Sequence, residues 1–159
     1  MRSPMEMEET QKILEACEFF KGFDTGQLAR ITPICRACRF EAGEIIYQQG
    51  GVGEDLFIIA EGQVMLERAV SVGSRKGTVP VAVLGKGKIM GGWSTLLNEP
   101  HTLMLSAVCK RPAVLLAIKG VDLRQQMTSD IQLGFCILEK LCLLLRERVQ
   151  ATLGAMDNI

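Results

Sequence analysis

Glycines set at short intervals within alternating apolar sequence constrain this chain more than any other feature. Residues 40–62 read FEAGEIIYQQGGVGEDLFIIAEG. Two apolar runs, 45–47 and 56–60, flank a polar segment that contains Gly50, Gly51 and Gly53. Val, Ile, Tyr and Phe favour half-buried strands, and clustered Gly marks the turns between them. The stretch therefore predicts a small antiparallel unit. The same pattern continues from Cys35 to about Ile118, with strand candidates at 37–40, 44–47, 55–60, 63–69, 78–84, 104–109 and 113–118. Many short strands at close spacing predict a barrel or sandwich. Residues 70–77, VSVGSRKG, are expected to form a polar, mobile hairpin tip.

Helical periodicity brackets this β segment. Ile13, Leu14, Cys17, Phe20 and Phe23 fall at steps of three and four and predict an acidic amphipathic helix over 5–21. Asp24 or Thr25 can cap a second short helix through 27–34, with Leu28 and Ile31 inward. After the strands, Asp122 is the expected cap of a short helix at 121–128. Ser129 or Asp130 is expected to cap a long helix that runs to about residue 153 and stops at Gly154. In it, Ile131, Phe135, Leu138, Cys142, Leu145, Val149 and Thr152 recur as a heptad stripe. Ile137, Leu141 and Leu144 lie beside that stripe. A helix apolar over so wide an arc needs two partners. The expectation is one face on its own β segment and the other on the same helix of a second copy. The organisation expected is N-terminal helices over 1–34, a β-roll over 35–120 and C-terminal helices over 121–154, all one structural domain.

Composition narrows the functional classes. The chain has 159 residues, with 18 Lys plus Arg against 18 Asp plus Glu, so no global field attracts a polyanion. No apolar run approaches the ~18 residues needed to span a bilayer. The start, MRSPMEMEETQK, lacks the apolar core of a signal peptide, so a cytoplasmic protein without membrane association is expected. Cys17, Cys35, Cys38, Cys109, Cys136 and Cys142 are then expected to be reduced and packed as small hydrophobes. Cys35 and Cys38 alone have metal-like spacing, and no second pair completes a site, so no metal is expected. There is no phosphate loop of the GxxxxGK[ST] kind, since Gly85-Lys86-Gly87-Lys88 lacks its spacing and its hydroxyl residue. Nor is there a carboxylate pair at helical spacing near His101, and no enzyme is expected.

Phe40, Gly43, Ile46, Gln49-Gly50, Glu54, the run 56–59 and Gly62 together resemble the entry of the cyclic-nucleotide-binding domain of the Crp/Fnr family. The resemblance extends over about 17–153 and implies an α+β, mainly β fold. That fold is a double-stranded β-helix, or jelly-roll β-roll, with N-terminal helices and a long C-terminal dimerisation helix. It also implies that residues 85–108, GKGKIMGGWSTLLNEPHTLMLSAV, hold the phosphate-binding cassette. A turn into a short helix at 93–97 would free the N–H groups of Gly92, Trp93 and Ser94 for an anion, with Ser94 and Thr95 adding hydroxyls. By this resemblance the candidate pocket residues are Gly91, Gly92, Trp93, Ser94, Thr95, His101, Thr102 and Arg146.

Two departures from the family pattern matter most. Gly92 stands where the family has the Glu that holds the ribose hydroxyl, and His101 where it has the Arg that neutralises the cyclic phosphate. Arg146 and Glu147 stand in the helical zone that meets the purine. Ordinary binding of cAMP and cGMP is therefore not expected, and no cofactor is expected; a small anionic ligand or nucleotide is left open as an occupant. The expected function is a homodimeric, non-catalytic sensor, with Ile131, Phe135, Leu138, Cys142, Leu145 and Val149 at the interface, that signals to a partner protein. The alternatives are an interaction module whose pocket is vestigial, filled by Trp93, Leu103 and Met104, and a redox or haem sensor using Cys35, Cys38 or His101. The sequence after Gly154 is too short for a helix-turn-helix, so no direct DNA binding is expected.

Overall fold

Two long strands, paired through a shared bulge, carry the architecture. The computed structural model describes residues 4–158. In chain order it contains α1 (Pro4–Ala16), a 3-10 turn (Glu18–Phe20), α2 (Thr25–Ile31), a 3-10 turn (Thr32–Ile34), β1 (Cys35–Phe40), β2 (Ile45–Tyr47) and β3 (Val52–Gly53). There follow β4 (Asp55–Val72), β5 (Arg75–Leu84), β6 (Ile89–Met90), α3 (Trp93–Leu97), β7 (His101–Thr102), β8 (Ser106–Lys119), α4 (Gly120–Ser129) and α5 (Ile131–Met156). The main antiparallel sheet has the order β1-β8-β4-β5, with β2 also on β8 and β6 on β4, while β3 and β7 pair separately. This is the β-roll that the glycine pattern and the resemblance lead one to expect.

The expected strands at 55–60 and 63–69 are one strand, β4, and those at 104–109 and 113–118 are joined in β8. Gly62 reads as a break in sequence, yet the β4–β8 ladder passes it with register shifts between Ile59 and Val64. Gly62 has φ +99, and a Cβ there would lie 2.6 Å from the Pro112 carbonyl oxygen of β8. Only glycine accommodates both that backbone and that approach. The bulge shifts the alternation of β4, so that odd positions such as Ile59 face the roll before it and even positions after it. Before it, Leu56 and Ile58 of β4 pack with Leu116 and Ile118 of β8 under the helices. After it, Val64 and Leu66 join Ala107, Cys109 and Leu115 inside the roll.

The helical cluster contains Leu14, Cys17, Phe20, Leu28, Ile31, Leu123, Met127, Leu133, Ile137 and Leu141. The first helix is shorter than expected. It ends at Ala16, and Cys17 is extended, with its thiol donating to the Gly87 carbonyl at 3.0 Å. Pro33 turns the end of the second expected helix into a 3-10 turn. Asp24 is its cap, in a reciprocal box with Gln27 at 2.7 and 3.0 Å. Asp122 lies in the first turn of α4 and is not its cap, because α4 already begins at Gly120. Asp130 caps α5 by accepting from the Leu133 N–H at 3.1 Å. That helix continues through Gly154 to Met156. The hairpin tip is tighter than expected, since pairing persists to Val72 and Arg75 around Gly73-Ser74. No helix among the described residues is long and apolar enough to cross a membrane.

Candidate functional site

The short strands missed in sequence are the ones that build the site. β3 and β7 pair Val52 with Thr102 and Gly53 with His101. Gly50 donates to the Leu103 carbonyl and Leu103 donates to that of Gly51, each at 2.8 Å. These bonds turn Leu103 inward, where it is buried. Gln49 ties the same loop to the roll: its side-chain oxygen accepts from the Ala69 N–H at 2.8 Å. Between this loop, β4 and the outer half of α5 lies a cavity of about 460 Å³.

The walls are largely apolar. Leu66 and Leu103–Leu105 face Leu144, Leu145, Val149 and Leu153 of α5 across the space. Trp93 and His101 also line the space, with ring centroids 6.4 Å apart and planes tilted by 56°. Burial holds the His101 imidazole below its usual range, and its Nδ1 is buried without a hydrogen-bond partner. Tyr47 stacks on Phe57, and burial pushes its phenol up to about 12, with Arg148 pulling the other way.

Two cations line the cavity, Arg68 and Arg148, and no Asp or Glu does. Arg68 is exposed and donates to the Met104 carbonyl at 2.6 Å. Arg148 is half-buried and donates to the Ile89 carbonyl at 2.7 Å. Burial draws its guanidinium below the usual value, while Tyr47 and then Glu147 oppose that shift. The ion pairs found among the described residues are Lys12–Glu8, Arg30–Asp130, Arg36–Asp55 and Lys88–Glu18, and none includes Arg148.

Of the residues singled out in sequence, Gly91, Trp93 and His101 line the cavity. A side chain at Gly91, where φ is +86, would meet the Asp55 carbonyl oxygen at 2.5 Å, so backbone alone forms that wall. Gly92 caps α3 in a left-handed conformation and is buried under Leu141, whose Cδ2 would be 3.1 Å from a Cβ there. Ser94 and Thr95 are buried but do not line the cavity. Ser94 presses on Gly120 instead, and both hydroxyls are without a hydrogen-bond partner. Thr102 is exposed. Arg146 is also exposed and outside the cavity; the arginine that reaches it is Arg148, two residues on. Cys35 and Cys38 lie three apart on β1, where alternation puts Cys35 inside and Cys38 on the other face.

The heptad stripe of α5 is open. Ile131 is 76% exposed and Phe135 67%, and Leu138, Cys142 and Val149 are exposed as well. Leu145 is half-buried, because it and Val149 also line the cavity.

Comparison with known proteins places this geometry. The chain is 27% identical over 124 residues to a cGMP-dependent protein kinase of Eimeria tenella, an alignment that takes in 78% of this chain and 11% of that protein. It thus spans about a tenth of the length of that relative. Among solved structures, a cyclic nucleotide-binding domain from Methylobacillus flagellatus superposes with a TM-score of 0.75 at 22% identity, covering 96% of this chain and 82% of that one. The regulatory subunit of a cAMP-independent protein kinase A from Trypanosoma brucei, as a mutant bound to cAMP in its A site, gives 0.76 at 23% identity, covering 94% and 52%. The N-terminal domain of a Streptomyces coelicolor transcriptional regulator gives 0.69 at 22% identity, covering 88% and 94%. At these identities the structures share the fold. The family described as "Cyclic nucleotide-binding domain" matches residues 37–130, more than half of the sequence, and the chain belongs to that family.

Proposed function

We propose that the chain is a non-catalytic regulatory domain that acts as a homodimer through α5, and whose cavity has lost ordinary affinity for cAMP and cGMP. The observation that carries the reading is Gly92 buried beneath Leu141. The resemblance assigns that position the carboxylate that holds the ribose. Here there is neither a carboxylate nor room for one until Leu141 moves. His101 stands at the position of the phosphate-binding arginine, and it offers no bidentate, permanently charged fork. Leaving ligand polar groups unpaired in a buried site costs about 1–3 kcal/mol each. Two such losses weaken a cyclic nucleotide by roughly two to four decades.

The open cavity supports a sensor over an interaction module with a vestigial pocket. Trp93, Leu103 and Met104 line the space and leave about 460 Å³ free. The opposite facing of Cys35 and Cys38 gives no support to joint redox chemistry by that pair. Calorimetric titration of cAMP and of cGMP tests the proposal. The expected result is no saturable heat at micromolar concentration of either nucleotide. Micromolar, stoichiometric binding of one of them would overturn it.

A further inference from the structure

The occupant of the cavity is defined by the match between its walls and its one sheltered charge. Leu66, Leu103, Leu144 and Leu145 provide an apolar interior, and no carboxylate lines it. Arg148 enters this interior from α5, half-buried and without an ion-pair partner among the described residues. Its one recorded hydrogen bond, to the Ile89 carbonyl, leaves most of the guanidinium's donors unspent. A cation partly withdrawn from water and in no direct ion pair is costly, and an anion brought to it recovers that cost as charge-assisted hydrogen bonds. The volume, about 460 Å³, lies in the range of small-molecule sites.

We infer that the cavity takes an amphipathic anion, an apolar body bearing one acidic head, and that Arg148 of α5 receives the head. This rests on the reading of the cavity as a ligand site. It places the anion on the helix that also carries the exposed stripe, and not on the loop around α3. A nucleotide is a poor match, because most of its surface is polar and the walls offer few partners for it.

The test uses the full chain and its single tryptophan, Trp93, which lines the cavity and reports occupancy by fluorescence. Decanoate, decyl phosphate and the neutral decanamide are titrated below their micelle-forming concentrations. At least one of the anions is expected to perturb Trp93 saturably and to bind about tenfold or more tighter than the amide, the size of one charge-assisted hydrogen bond. Which anion binds tells a carboxylate head from a phosphate one. Arg148→Gln is expected to erase the preference for the anion, and Arg68→Gln to leave it in place. Should Arg148→Gln unfold, Arg148→Lys keeps the charge and is expected to keep the preference in weaker form.

Equal binding of amide and anions, loss of the preference in Arg68→Gln alone, or no response from any probe would each overturn the inference. The cAMP and cGMP titrations separate the two proposals. Silent nucleotides with silent anions overturn only this inference, whereas micromolar nucleotide binding overturns the reading beneath it.

Discussion

At the scale of residues, the two most telling positions are a glycine and a histidine. Gly62 combines φ +99 with a Cβ position 2.6 Å from the Pro112 carbonyl oxygen. Gly62→Ala is therefore expected to destabilise the chain by about 1–3 kcal/mol in chemical denaturation, through both strain and crowding. Burial depresses the His101 pKa in the folded chain. The unfolded chain then binds the proton more readily, and stability falls as the pH drops below the unfolded value of about 6.5 toward the folded one. Thermal unfolding against pH is expected to show this loss, and His101→Gln to reduce it. The residue types at Gly62, Gly92 and His101 are plain in the sequence. That Leu141 lies over Gly92 is not, because that contact joins residues far apart in the chain.

At the scale of elements, periodicity located the helices better than their ends, and it located the strands better than their continuity. Gly62 looked like a terminator because glycine weakens strands, but the β8 backbone packs directly against it and the ladder runs on. The two-residue strands β3, β6 and β7 are too short to carry any pattern. On α5, Ile137, Leu141 and Leu144 mark the inward stripe, and Arg148 is the next member at helical spacing. A lone cation on an inward stripe is the sequence signal for the cavity arginine, and the neighbouring charges Arg146 and Glu147 mask it. The N-cap of this helix gives a separate prediction. Asp130→Ala removes the acceptor for the Leu133 N–H and is expected to cost about 1 kcal/mol in denaturant unfolding. Its exposed pair with Arg30 adds little to that figure.

At the scale of the whole molecule, the roll was legible because its turn glycines and half-buried strands repeat on a short period. The candidate site was legible only in part. Gly91, Trp93 and His101 line one cavity, while Ser94 and Thr95 turn into the packing and Thr102 to the surface. The cavity draws its other wall from α5, some fifty positions further along the chain, and local patterns hold no record of that pairing. The same helix has one face on the roll, lines the cavity at Leu145 and Val149, and leaves Ile131 and Phe135 to solvent. The proposed homodimer would cover this exposed apolar stripe, whose heptad spacing suits the same helix of a second copy.

The central proposal is that α5 joins the cavity to a second copy, and sedimentation of the wild type beside Phe135→Glu tests it most directly. The account predicts a dimer at micromolar concentration and a folded monomer in the variant. A wild type that stays monomeric over that range, or a variant that remains a dimer, would contradict it.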